Sequence, residues 1–303
     1  NPRIDSIRWE LDFPSGAISN FDDCTRSQGV VSNRSGSQDL KPEESDSLSL
    51  GGTFQLDLGS AGRLTFTADY WEIRQKNVIG LFGDTNALIL DYLLRLSGSS
   101  NPNVQRAAPT QADIDAVAGT GIAPVGRIIQ VIDNYTNLTP RTVRGYDLGV
   151  YYQVKDTGIG DFNVRVNAAR LLEFYQVPNE TVQSLIDAQA NGTIDGFINI
   201  VGAESLIEQN GRPKWRGSAS LTWRHKGFGL GYYANYVGAV TDTSAALADG
   251  TRWRVKDYLT HSLYAQYSVD GGPMDDLRPR VGVRNLLNEL APLADQPTGY
   301  IGD

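Results

Sequence analysis

Between Ser45 and Leu58 apolar and polar residues change places at nearly every step. Leu48, Leu50, Phe54, Leu56 and Leu58 fall on one side of an extended chain, and Ser47, Ser49, Thr53, Gln55 and Asp57 fall on the other. Residues two apart share a face of a strand, so this period predicts β-structure. The alternation recurs: Tyr146, Leu148, Val150, Tyr152 and Val154 oppose Gly145, Asp147, Gly149 and Gln153, while Trp215, Ala219, Leu221 and Trp223 oppose Arg216, Ser218, Ser220, Thr222 and Arg224. The whole pattern predicts about eight strands, over 45–58, 62–79, 141–154, 161–176, 212–225, 228–240, 254–269 and 277–288.

The connections alternate in length. Those at 59–62, 155–160, 225–227 and 270–276 are short, and those at 80–140, 177–211 and 241–253 are long. Tight turns on one side and elaborated loops on the other are the mark of an antiparallel up-and-down transmembrane β-barrel, and the all-β class follows. The strand lengths exceed the usual five or six residues and suit a tilted crossing that runs on beyond the lipid. The leucine side is then expected to face lipid and the serine and threonine side a wet lumen. Tyr70, Trp71, Trp215, Trp223, Tyr232 and Tyr236, near strand ends, fit aromatic girdles. Within the long loops, helical composition predicts short helices over 87–96, over 111–118 with a cap after Pro109-Thr110, and over 180–190 with a cap after Pro178-Asn179.

Composition narrows the function. Hydrophobic residues make up 40% of the 303 and mean hydropathy is −0.31. No run of about 18 apolar residues is present, so helical membrane spans are excluded. A net charge of −8 without a basic stripe excludes a nucleic-acid partner. The opening Asn1-Pro2-Arg3-Ile4-Asp5 lacks the form of a signal peptide. The single cysteine, Cys24, has no internal partner, and His225 and His261 do not stand in metal-ligand spacing. Gly158-Ile159-Gly160 and Gly119-Thr120-Gly121 lack the context of a nucleotide loop, and neither a nucleophile elbow nor a P-loop occurs. His261 and the adjacent Ser262 point to opposite faces of a strand and cannot act as a pair. No enzyme activity, cofactor, metal or catalytic residue is therefore expected. Asn-X-Ser/Thr triplets at Asn33, Asn134, Asn137, Asn179 and Asn191 fall in or beside loops and carry little weight. Loops of this size usually carry function. Their aromatic and polar residues Trp9, Arg127, Asp133, Asn134, Tyr135 and Trp253 are the candidates for binding a polar solute such as a glycan, a siderophore or a peptide.

Two segments resemble the TonB-dependent receptors of the Gram-negative outer membrane. One is Asp39-Leu40-Lys41-Pro42-Glu43-Glu44-Ser45-Asp46-Ser47, followed by Leu64-Thr65-Phe66-Thr67-Ala68-Asp69-Tyr70-Trp71-Glu72-Ile73. The other is Val283-Arg284-Asn285-Leu286-Leu287-Asn288-Glu289 with Pro292 beyond it, and Gly145-Tyr146-Asp147-Leu148 between them fits the same pattern. The resemblance implies the C-terminal portion of a larger barrel of roughly 22 strands, with 1–44 as an extracellular loop region, 45–303 as barrel and the final strand missing. It implies import of a scarce, bulky solute, contact with outer-membrane lipid and lipopolysaccharide, and a link to the TonB complex through a plug domain that lies outside this chain. A passive porin-like channel and a surface-binding barrel are the alternatives.

Overall fold

A computed structural model describes residues 31–293 except 117, 120–122, 195–197, 203–204, 247–251, 270 and 273–276. Trp9 and Cys24 lie outside the described residues, as does the segment after residue 293. Eight long or moderate strands carry the architecture: β1 (Glu44–Asp57), β2 (Arg63–Lys76), β3 (Arg141–Thr157), β4 (Gly160–Gln176), β5 (Trp215–His225), β6 (Phe228–Val237), β7 (Tyr258–Tyr267) and β8 (Arg280–Val283). They form one eight-stranded antiparallel sheet whose spatial order is the chain order, a meander. The sheet is open, with β1 and β8 at its edges.

Turn chemistry closes the short side. Gly59 and Gly62 adopt φ of 61° and 99°, and a Cβ on Gly62 would stand 2.3 Å from the Gln153 carbonyl oxygen. Lys226 and Gly227, both at positive φ (46° and 81°), make the two-residue turn between β5 and β6, a conformation that matches the right-handed twist of the strands it joins.

Register divides the sheet into two chemistries. Leu56, Leu64, Tyr152, Val164, Leu221, Tyr232, Leu263 and Val283 are successive cross-strand partners, one from each of the eight strands. Directly opposed residues share a face, so this face is apolar from edge to edge. The neighbouring row on the other face reads Gln55, Thr65, Tyr151, Arg165, Ser220, Tyr233 and Ser262. There Tyr151 donates to Asn167 Oδ1 at 2.8 Å and Gln153 to Asn163 Oδ1 at 2.8 Å. On the apolar side of β5, Trp215 and Trp223 stand at the two ends, and the Trp223 indole donates to the Ile159 carbonyl in the β3–β4 turn at 2.7 Å. Arg170 stacks over Tyr146 and Trp215 at the opposite end. Trp71, paired with Gly145 and Ser49, belongs to the polar side, so of the Tyr70–Trp71 pair only Tyr70 fits the outer girdle.

Boundaries shift where the backbone turns left-handed. β2 ends at Lys76 instead of residue 79 because Asn77 takes φ 53°. β8 covers only Arg280–Val283 of the expected 277–288. Asn285 and Asn288 adopt φ of 50° and 53°, Asn285 Oδ1 accepts the Glu289 N–H at 2.9 Å, and the Leu286 N–H reaches the His261 carbonyl at 2.6 Å. Residues 254 and 255, expected at the head of the seventh strand, belong instead to Arg252–Val255, which pairs with Val240–Ala246 as a separate hairpin.

The hydrophobic core lies away from the sheet. Helices α1 (Asp84–Leu96), α2 (Gln111–Ala116) and α3 (Glu180–Ala190) occupy the expected places in the two longest loops. Ile89 and Tyr92 of α1 pack with Val182, Leu185 and Ala188 of α3 and with Ile194 and Ile200. The other side of α1, through Ala87 and Leu88, packs on Val104, Ile128 and Val131, which belong to a three-stranded sheet of Val31–Asn33, Ile128–Ile132 and Val104–Arg106. By contrast Leu50, Phe54 and Val281 on the large sheet are 72%, 61% and 71% exposed. A membrane sheet has lipid for its apolar face, whereas loops in water must bury theirs.

Candidate functional site

The loops between β2 and β3, between β4 and β5 and between β6 and β7 meet over the ends of β3 and β4. Capping and buried hydrogen bonds hold them there. Asn179 caps α3 by accepting the Val182 N–H at 2.8 Å. Fully buried Asn86 accepts the Val201 N–H at 2.9 Å and donates to its carbonyl at 2.8 Å, tying α1 to the second loop. Asn210 makes the same two-way bond to Thr243, through its Oδ1 to the backbone N–H at 3.0 Å and its Nδ2 to Oγ1 at 2.8 Å, so the second loop is tied to the third. The Arg254–Glu208 ion pair at 3.1 Å reinforces this join.

Between these elements opens a cleft of about 490 Å³, with walls from all three loops and from the outward ends of β3 and β4. Its lining is apolar through Phe82, Leu138, Val177, Pro178 and Ile200 and polar through Tyr135, Arg141, Gln176, Asn210 and Arg212. The volume lies in the range of small-molecule sites, which combine an apolar lining with a few placed polar groups. Arg141 opens β3 directly after Pro140, and its Nη2 donates to Gln176 Oε1 at 3.0 Å. Arg212 is set by a tight turn in which Glu208, Asn210 and Gly211 all have positive φ and the Glu208 N–H meets the Arg212 carbonyl at 2.7 Å. Both guanidiniums stack on Phe174, at 5.6 Å and 4.9 Å from the ring centre. The Arg212 guanidinium and, with the opposite sign, the Glu43 carboxylate act electrostatically on Arg141.

The structure distributes the sequence candidates widely. Tyr135 lines the cleft. Asp133 is buried and serves the scaffold: its Oδ1 accepts the Gly83 N–H at the start of α1 at 3.0 Å, and Arg34 lies 3.8 Å from its Oδ2. Asn134 accepts the Ser35 hydroxyl at 2.8 Å. Arg127 is exposed and its carbonyl accepts the Ala107 N–H. The Trp253 indole donates to the Leu293 carbonyl at 2.8 Å. The cleft's cations, Arg141 and Arg212, were absent from the sequence candidates. Each is next to a proline where a strand meets a loop, in Pro140-Arg141 and Arg212-Pro213, and that junction was the available signal. His261 sits on the apolar face with Nδ1 2.5 Å from the Tyr232 hydroxyl, while Ser262 lies in the polar row.

The family profile described as TonB dependent receptor-like, beta-barrel, matches residues 10–286. Among solved structures the chain is similar to the FrpB iron transporter from Neisseria meningitidis (F3-3 variant), at 14% identity and a TM-score of 0.43 over 87% of this chain and 28% of that one. It is similar to the siderophore receptor PirA from Acinetobacter baumannii at 14% identity and a TM-score of 0.48, over 84% of this chain and 29% of that one. The pyoverdine outer membrane receptor FpvA from Pseudomonas aeruginosa PAO1 gives 14% and 0.46, over 83% and 26%. The chain thus spans less than a third of the length of these structures. No curated protein matches it.

Proposed function

Because the chain belongs to the TonB-dependent receptor-like β-barrel family, we propose that it forms part of a Gram-negative outer-membrane receptor that captures a scarce, bulky solute at its outward mouth and imports it with inner-membrane energy. The observation that carries this reading is the cleft, built jointly by three loops that are tied to one another above the sheet. A shared wall of this kind selects a ligand, whereas independent loops would leave a wide opening. The leucine face is the surface for outer-membrane lipid and lipopolysaccharide, and energy arrives from the TonB complex through a plug domain outside this chain. Siderophores and glycans are the solute classes to test. The cleft's lining offers guanidiniums, amides and hydroxyls for binding a polar solute.

The test uses cells carrying the full-length protein. Accumulation of labelled ferric siderophores and labelled oligosaccharides is measured with and without a protonophore. Accumulation against the gradient that collapses with the proton gradient is expected. Uptake that merely equilibrates and ignores the protonophore would make the protein a passive channel, and retention at the surface without entry would make it a binding barrel.

A further inference from the structure

We propose that the cleft recognises a planar oxyanion of the carboxylate type, held by the guanidiniums of Arg141 and Arg212, on a solute whose apolar body lies against Val177, Pro178 and Ile200. This rests on the reading of the cleft as the receptor's mouth, and it adds the charge and shape of the ligand.

Three observations converge. The two cations line one cleft and share one aromatic ring, Phe174, at 5.6 Å and 4.9 Å. Among the described residues neither forms an ion pair with a carboxylate, although the same loops pair Arg106 and Arg95 with Asp91 and Arg254 with Glu208. Glu43 offsets part of the repulsion at Arg141 without forming an ion pair with it, and an anion seated between the two like charges would lower it further. Finally, Arg141 Nε is shut off from solvent with no hydrogen-bond partner, and its Nη2 is already engaged by Gln176. Buried side-chain polar atoms of this kind are few among the described residues, and Arg141 Nε is the one that belongs to a cleft residue. Guanidinium forks match planar, two-oxygen anions, and Phe174 holds both groups beside one ring. The cleft lining also includes Val177, Pro178 and Ile200, so the recognised solute is amphiphilic.

The probes are 4-fluorobenzoate and its neutral counterpart 4-fluorobenzamide, observed by fluorine NMR with the full-length receptor in nanodiscs. The unaltered protein should broaden and shift the benzoate signal and leave the benzamide nearly unchanged. Arg141→Gln with Arg212→Gln should weaken benzoate binding by about tenfold or more, the effect of losing charge-assisted hydrogen bonds. Arg141→Lys, which keeps the charge and loses the fork, should weaken it less. Equal binding of the two probes by the unaltered protein would overturn the proposal without recourse to any variant, and so would unchanged benzoate binding in a double variant whose protease pattern matches the parent. Energised uptake without benzoate selectivity would remove the anion site alone. Benzoate selectivity without energised uptake would remove the transport reading and leave the site standing.

Discussion

Asp91 has no exposed surface, and in the outer loops its carboxylate meets two arginines and a backbone N–H. Its Oδ2 lies 3.0 Å from Nε of both Arg95 and Arg106, and its Oδ1 accepts the Asn101 N–H at 2.9 Å. Asp91→Ala would leave the buried Arg106 guanidinium without its carboxylate, and about 3–5 kcal/mol of loop stability should be lost. Hydrogen exchange of the α1 amides in the full-length protein measures it, and protection equal to the parent would contradict the assignment. The exposed Arg254–Glu208 pair should by comparison contribute below about 1 kcal/mol. Sequence legibility at this scale followed residue type and not partnership. Tyr135 was recognisable as an aromatic loop residue, but nothing in the string distinguishes Asp133, which anchors α1, from an aspartate that meets a ligand. Arg141 and Arg212 lie 71 positions apart in the numbering, and only the fold places them on one ring.

Strands and helices were far more readable, because each declares itself by a period of its own. Leu221 stands in the apolar row and Ser220 in the polar one, on the same strand and one residue apart. Leu221→Arg should therefore cost about 2–4 kcal/mol of folding into lipid, and Ser220→Arg should be mild. Urea-dependent folding into vesicles separates the two, and equal costs would refute the assignment of faces. In α3 the N-cap was legible in Pro178-Asn179 ahead of an amphipathic run. Asn179→Ala should destabilise the helix by about 0.5–2 kcal/mol, visible as faster exchange of its first-turn amides, since it removes the bond to the Val182 N–H. The ends were less legible. Asparagine tolerates the left-handed region without requiring it, so Asn77 and Asn285 gave no firm notice that β2 and β8 would stop where they do. The separate hairpin of Val240–Ala246 and Arg252–Val255 was hidden for another reason: alternation says that a segment is extended and leaves its partner open.

At the scale of the molecule there are two structures under two solvents, a sheet that turns its leucines outward and a cap over its end that hides them. The eight-stranded meander was legible because loop lengths and strand period agree. The shared core of the cap was not, because Ile89 and Leu185 come from insertions with β3 and β4 between them. This sharing makes a prediction of its own. Removing residues 180–190 strips the cover from Ile89 and Tyr92 as well, so α1 should lose exchange protection together with the deleted helix while the barrel's heat-modifiable migration persists. A protected α1 after that deletion would mean that the loops fold separately. The two halves of the cap spring from the same end of the β3–β4 hairpin, so the pairing of those two strands is what brings Ile89 and Leu185 within reach of each other. The mouth is thus keyed to the sheet beneath it, and a slip in the register of that one hairpin would misalign the cleft even with every loop residue in place.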